Sequence, residues 1–310
     1  MPNQRIFYAS HAIKVGNSVA QGVQSVAVNT NFNLEQVFQL GRLAIYDNIV
    51  IDPDVEITVT KALDGRKSIW NLATGGGSLV SNANDQTTLV LGVGDDTADA
   101  IVANTSSITM TGCYVSSLNY TFPVDGNFTE EITFVGSHKV AGGAALAPVA
   151  TSPAPNVLRR QNFNTADSTL PSDLTGKKLS QVTISADLGR EKMFALGQQS
   201  PFHRFVNFPL EITVSFDVIQ DGNAGTKLAG PDFDQENDNC QALSFPKREI
   251  NIILCGNDGN NTYGFYLGSG CNLQSVSYSG GDTGGGNVTE TYTYITYNEL
   301  DITDLHNSAT

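Results

Sequence analysis

Seven residues written twice constrain this chain more than any other feature in it: EQVFQLG at 35–41 returns as EKMFALG at 191–197, 156 positions later in a chain of 310 residues. The flanks repeat as well. Upstream, Val26, Val28 and Thr30 alternate with polar neighbours, and Val182, Ile184 and Ala186 do the same before the second motif, so both stretches read as half-buried strands. Downstream, DVEITV at 54–59 is matched by LEITV at 210–214, with Pro53 and Pro209 close by. TLVLGVGDD at 88–96 resembles EINIILCGND at 249–258. A segment opening on Gly112 and Cys113 and running through Ser117, Tyr120, Asn127, Thr129, Glu130 and Thr133 returns from Gly270 and Cys271 through Ser275, Tyr278, Asn287, Thr289, Glu290 and Thr293. Matches in one order at nearly one offset predict two similar domains in tandem. They span 1–141 and 178–310, joined by a linker at 142–177 that is Ala- and Pro-rich at its start.

Short alternating runs between Gly, Asn and Asp clusters, with no long apolar stripe of helical period, predict an all-β fold. The expected form is a mainly antiparallel β-sandwich or barrel with short helices, and the length suffices for two domains with cores of their own. Seventeen basic against thirty-one acidic side chains give a formal charge of -14, split 7 to 13 in residues 1–150 and 10 to 18 in the rest. No basic footprint for nucleic acid exists in either half. The N-terminal MPNQRIFYASHAIKVG has no apolar signal core and no stretch is long enough for a membrane span, so synthesis in a cytoplasm is expected. Cys113, Cys240, Cys255 and Cys271 lack Cys-x-x-Cys spacing and are expected to be reduced, with Cys113 and Cys271 each facing its own core.

Residues suited to catalysis or metal binding do not assemble in the sequence. His11, His138, His203 and His306 lack companion spacing and read as surface or loop histidines. Asp232, Asp234, Glu236 and Asp238 imitate the start of a calcium loop, but Asn237 stands where that loop needs Gly and Leu243 where it needs a bidentate Glu. TGGGS at 74–78 and GGDTGGG at 280–286 lack the Lys-Ser/Thr of a phosphate loop and read as turns. No catalytic residue, metal ligand or cofactor site is expected. Glu35 and Glu191 occupy the same place in both copies, which suits a repeated structural contact better than one specialised acid or base.

The repeated motif carries cap signals. Asn33 with Gln36 forms a candidate capping box and Gly41 a C-terminal stop, predicting one or two helical turns; Gly189 and Gly197 take those places in the second copy. Phe38 with Leu40, and Phe194 with Leu196, would give each element two apolar anchors. Two uses are open: a corner that closes a β-sandwich, or a contact between subunits.

VQSVAVNTNFNLEQVFQLGRLAIYDNI, VEITVTKALDG, CYVSSLNYTFPVDGNFTEEITFVG and VTISADLGREKMFALGQQSPFHRFVNFPLEITVSFDVI resemble the major tail tube proteins of tailed bacteriophages, particularly those of marine and cyanobacterial phages. The resemblance covers most of the chain outside the linker and the C-terminal tail. It implies a β-sandwich or barrel assembled into rings that stack into a virion tail tube, assembled in the host cytoplasm. Partners would be further copies, the tape-measure protein, tail terminator, baseplate and, where present, a contractile sheath. Double-stranded DNA would pass through the bore, which a net negative wall suits because it does not grip phosphates. The family supplies no catalytic residues, so Glu35, Phe38, Leu40, Gly41, Glu191, Phe194, Leu196 and Gly197 stand as candidate packing or subunit-contact positions only.

Other readings are a different virion ring protein (terminator, baseplate or capsid decoration) or a carbohydrate- or cell-binding module, for which the single Trp70 is poor support. An enzyme comes last. Tubes of the family are built from six single-domain positions per ring, so two such domains per chain predict a homotrimeric ring of pseudo-sixfold symmetry, favoured over a hexamer with one decorating domain.

Overall fold

The computed structural model describes residues 11–93, 106–142, 146, 156–219, 245–279 and 288–305. In chain order the first half contains β1 (His11–Val15), β2 (Ser18–Val19), β3 (Val23–Phe38), β4 (Ile45–Ala62), α1 (Ile69–Thr74), β5 (Gly77–Ser78), α2 (Leu79–Asn82), β6 (Thr87–Val93), β7 (Ser106–Pro123), β8 (Thr129–Gly136) and β9 (His138–Ala141). The second contains β10 (Lys178–Asp187), β11 (Arg190–Met193), β12 (His203–Val206), β13 (Glu211–Ile219), β14 (Asn251–Cys255), β15 (Asn261–Tyr266), β16 (Asn272–Ser279), β17 (Thr289–Tyr297) and β18 (Asp301–Asp304). Among the described residues every pairing is antiparallel, and the fold is all-β with two short α-helices, as the period-2 alternation predicts.

Eight strands lie side by side in the order β3-β4-β8-β7-β10-β13-β17-β16. Alternation divides their residues between two faces. Ile57, Val59, Ile132, Phe134, Leu118, Tyr120, Ile184, Ile212, Val214, Phe216, Tyr292 and Tyr294 point into the core and are buried. Their neighbours, such as Thr58, Thr60, Thr133, Asn119, Thr183, Ser215 and Thr293, form the opposite face and remain partly or fully accessible. That face is mainly polar, interrupted by side chains such as Val135, Ile219 and Ile295.

The halves use one pairing scheme. The order β3-β4-β8-β7 in the first is β10-β13-β17-β16 in the second. Bulges fall at matching rungs, between Val115 and Ser117 against β8 and between Leu273 and Ser275 against β17. The Thr58 and Thr133 hydroxyls, 3.2 Å apart, have their counterpart in Ser215 and Thr293 at 3.5 Å. Beyond the main sheet, β7 pairs with β6 over residues 106–113 and with β9 over 108–111, as β15 pairs with β14 and β18. The ladder also corrects the sequence match around EITV. Ile57 stands opposite Phe134 and its counterpart opposite Tyr294 is Val214, two residues beyond the Ile212 that similarity selects. A shift of two preserves which face each side chain takes, so the letters matched although the rungs did not.

A single hydrophobic cluster runs through both halves. Over the first half it is closed by β1, β6 and α1, which brings the fully buried Trp70; over the second, by β14, β15 and β18. Phe265 of β15 crosses the boundary, with its ring 4.7 Å from that of Tyr120 and 5.4 Å from that of Phe122. Cys113 and Cys271 are buried as expected, and burial pushes their thiols up to about 12 and about 11. Cys255 is a third free thiol.

Composition predicts a linker at 142–177, but residues 156–177, most of its described part, are built into the fold. Leu158 is buried and donates its N–H to Leu63 O (2.8 Å) while its carbonyl accepts from Phe128 N (3.0 Å). Thr169 exchanges main-chain hydrogen bonds with Asn251, and Leu174 is buried. Isolated leucines in a polar run have no period to announce them.

Because Phe265 roofs both halves, Phe265→Ala is expected to cost about 3–5 kcal/mol in a single transition. Urea unfolding followed by Trp70 fluorescence, which reports on the first half, and by circular dichroism should shift together.

Candidate assembly surface

β3 and β4 continue well past the sheet as a two-stranded arm at residues 32–51. A shorter arm at 190–206 is formed by β11 and β12. Their rungs coincide: Leu34–Val50, Glu35–Ile49, Gln36–Asn48 and Val37–Asp47 in the first are Arg190–Val206, Glu191–Phe205, Lys192–Arg204 and Met193–His203 in the second. Both copies of the repeated motif therefore sit at arm tips.

The helical turn expected at 33–41 is not formed. Leu34, Glu35, Gln36 and Val37 pair with the 47–50 segment, whose Ile49 and Val50 favour a strand. The Asn33 amide, instead of capping a helix, donates across the ladder to Asp52 O at 2.8 Å. The second motif is likewise strand and turn. Gly41 (φ +84°) and Gly197 (φ +86°) are the turn residues, with open space where a Cβ would be. Their requirement is conformational rather than steric.

None of the eight motif residues enters the core. Phe38 and Phe194 are 67% and 51% exposed, and Leu40 and Leu196 project fully into solvent. Glu35 and Glu191 are exposed as well. The first arm adds Phe32, Leu34, Leu43, Ile45, Tyr46, Ile49, Val50 and Ile51 to the exposed large apolar side chains, the second Met193, Phe202 and Phe205. Apolar side chains gathered in this way on a projecting element mark an interaction site.

The second arm is tied to the first half. Lys192 Nζ lies 2.5 Å from Asp52 Oδ2 and also meets Asp54. Arg204 Nη2 lies 2.6 Å from Asp54 Oδ1 and donates to Ser137 Oγ at 2.9 Å. Arg190 stacks over the Tyr114 ring and donates to Val115 O (2.7 Å) and Ala83 O. Burial pushes the Asp54 carboxyl up, but hydrogen bonds from Lys192 and Arg204 and their charges together hold it below the usual carboxylate range. His203 is not a loop residue; it lies in β12, with Nδ1 2.9 Å from the Tyr114 hydroxyl. These contacts join residues distant in sequence, and no local pattern announces them.

Among the described residues two sheet edges are open. In the main sheet β3 and β16 each pair on one side only along residues 25–31 and 272–279. The face between them carries Glu56, Glu131, Asp187, Glu211 and Asp217; Lys178 stands at the end of its strand, and Arg190, Lys192 and Arg204 of the second arm line one pocket with Asn29, Asp54 and Glu56. Thr60 donates to Glu131 (3.3 Å) and Thr291 to Asp217 (2.6 Å).

Among the described residues no group of three His, Cys, Asp or Glu converges as metal ligands. Asp232, Asp234, Glu236, Asp238, Cys240, Gly280–Gly286 and His306 lie outside them. No protein-family model matches the chain, and no curated protein matches it.

Since Phe38 and Leu196 lie outside the core, Phe38→Ala and Leu196→Ala are expected to change folding stability by no more than about 0.5 kcal/mol while weakening self-association. Thermal melting of dilute protein and sedimentation of concentrated protein measure the two effects separately.

Proposed function

We propose that the chain is a structural subunit of a phage tail tube, built as two tube-type domains in tandem, with three chains per ring. The observation that carries this reading is the seam within the chain. The trailing edge of the first half, β7, pairs with the leading edge of the second, β10, from Ser117–Asp187 to Pro123–Gln181. The remaining edges, β16 and β3, are by pairing position one of each kind. Repeating the seam between chains sets Ala27 opposite Ser279, Val28 opposite Tyr278, Asn29 opposite Ser277, Thr30 opposite Val276 and Asn31 opposite Ser275.

A sheet extended by equal rotations closes into a barrel and leaves no edge. Each chain supplies two steps, and six steps make the ring that the resemblance implies, so three chains close it. The core face is already covered, which leaves the Ser/Thr-rich acidic face toward the lumen. Glu56, Glu131, Asp187, Glu211 and Asp217 would then repel duplex phosphates and let DNA slide. Negative-stain microscopy of the concentrated chain tests this: hollow tubes of stacked three-chain rings are expected. Monomers alone would overturn the reading, six chains per ring would overturn the trimer, and single rings that never stack would favour a terminator or baseplate component.

Two variants probe the parts. Tyr278 is half exposed in the chain but would be buried against Val28 of the next. Tyr278→Lys should fold with little change in melting temperature and fail to form rings, because an unpaired charge would be buried in the seam. Glu131→Lys with Asp217→Lys should still assemble, but the tubes should retain duplex DNA at low salt and release it as salt rises, which the parent tubes do not.

A further inference from the structure

The two arms differ chemically where they should bind, and this difference assigns the first arm its partner. Arg190, Lys192 and Arg204, the groups that hold the second arm to the first half, correspond rung for rung to Leu34, Gln36 and Asn48. The surface beneath changes in parallel. By ladder position Asp54 corresponds to Glu211, Tyr114 to Asn272, Val115 to Leu273 and Ser137 to Tyr297. Glu211 accepts a long hydrogen bond from the Tyr297 hydroxyl (3.5 Å), and Tyr297 and the nearby Phe208 are each 46% exposed. An ionic contact in one place thus has an uncharged, amide and apolar counterpart in the other.

We infer that the first arm of each chain lies across the second half of a neighbouring copy, with Leu34, Gln36 and Asn48 over Glu211, Leu273 and Tyr297. This rests on the ring reading, and it supplies the arm's occupant. Within one chain the second arm already covers the first half, and its cations neutralise Asp52 and Asp54. The first arm carries no cation at those rungs, so it has nothing to offer that acidic site. Over the second half its amides can donate to Glu211, and Leu34 and Val50, which share the face of Gln36 and Asn48 and are exposed in the chain, gain apolar cover. The pattern separates the two junctions: ion pairs close the one formed during folding of a chain, and neutral contacts close the one formed between chains, so that neither arm fits the other's seat.

The test uses the full chain carrying Gln36→Lys and a zero-length carbodiimide, which joins an amine to a carboxylate it touches. Lys192 coupling to Asp52 or Asp54 should occur in monomer and assembly alike and serves as the internal control. A peptide joining position 36 to Glu211 should occur only in assembled material, and in rings mixed from light and heavy isotope chains it should include species that contain one of each, alongside the Lys192 peptides, which should not. Rings in which position 36 couples to other carboxylates, or to none while Lys192 couples normally, would overturn the inference and leave the tube reading standing. A chain that never assembles overturns both.

Discussion

The pairing of β7 with β10 is the constraint on which the rest depends. Seven rungs, from Ser117–Asp187 to Pro123–Gln181, turn two four-stranded sheets into one of eight. Without them each half would expose a long edge of unpaired N–H and C=O groups beside a core open at its side. With them Tyr120, Phe122, Ile184 and Phe265 meet in a single hydrophobic cluster that belongs to neither half. The same rungs orient the halves head to tail, which is why the unused edges are of opposite kinds. A head-to-head seam would have left two identical edges and suited a closed dimer rather than a ring.

Burial also explains why certain charged residues recur. Glu130 and Glu290 occupy matching rungs and both are fully buried. Glu130 accepts from the N–H groups of Ile69 (2.7 Å) and Trp70 (3.1 Å) at the start of α1 and from the Tyr120 hydroxyl (2.8 Å). Burial pushes its carboxyl up, partly offset by the Lys61 charge and by those hydrogen bonds. Glu290 instead accepts from Lys177 (2.7 Å) and the Tyr292 hydroxyl (2.9 Å). A buried carboxylate is tolerated only when its oxygens are satisfied. Each half does so with its own partners: a helix start in the first, and a lysine from the connecting segment in the second.

The arms and the sheet divide the labour of the molecule. Polar side chains and carboxylates lie on the uncovered face of the sheet, while exposed aromatic and aliphatic residues concentrate on the arms. One arm is tied down inside the chain by Lys192 and Arg204 while its Phe194 and Leu196 stay exposed, and the other keeps its more numerous apolar side chains exposed. A chain arranged in this way presents apolar surface that water does not satisfy.

The sequence by itself determined the strands and the class, because alternation at Val26–Val28–Thr30 and Val182–Ile184–Ala186 is a local property that every half-buried strand must carry. It also determined that two stretches are built alike, since EQVFQLG and EKMFALG occupy matching rungs. The use of those rungs was not legible. Asn33, Gln36 and Gly41 satisfy the local rules for a capped helical turn, and only the partner strand at 45–51 makes them an arm. Lys192 and Arg204 look like ordinary surface cations until Asp52 and Asp54, some 140 to 150 positions away, are folded beneath them. Leu158 and Leu174 likewise look like linker residues until a core from both halves closes over them. Local preference is written in neighbouring residues, whereas burial, ion pairing and the choice of sheet edge depend on contacts between distant ones, and those exist only once the chain has folded.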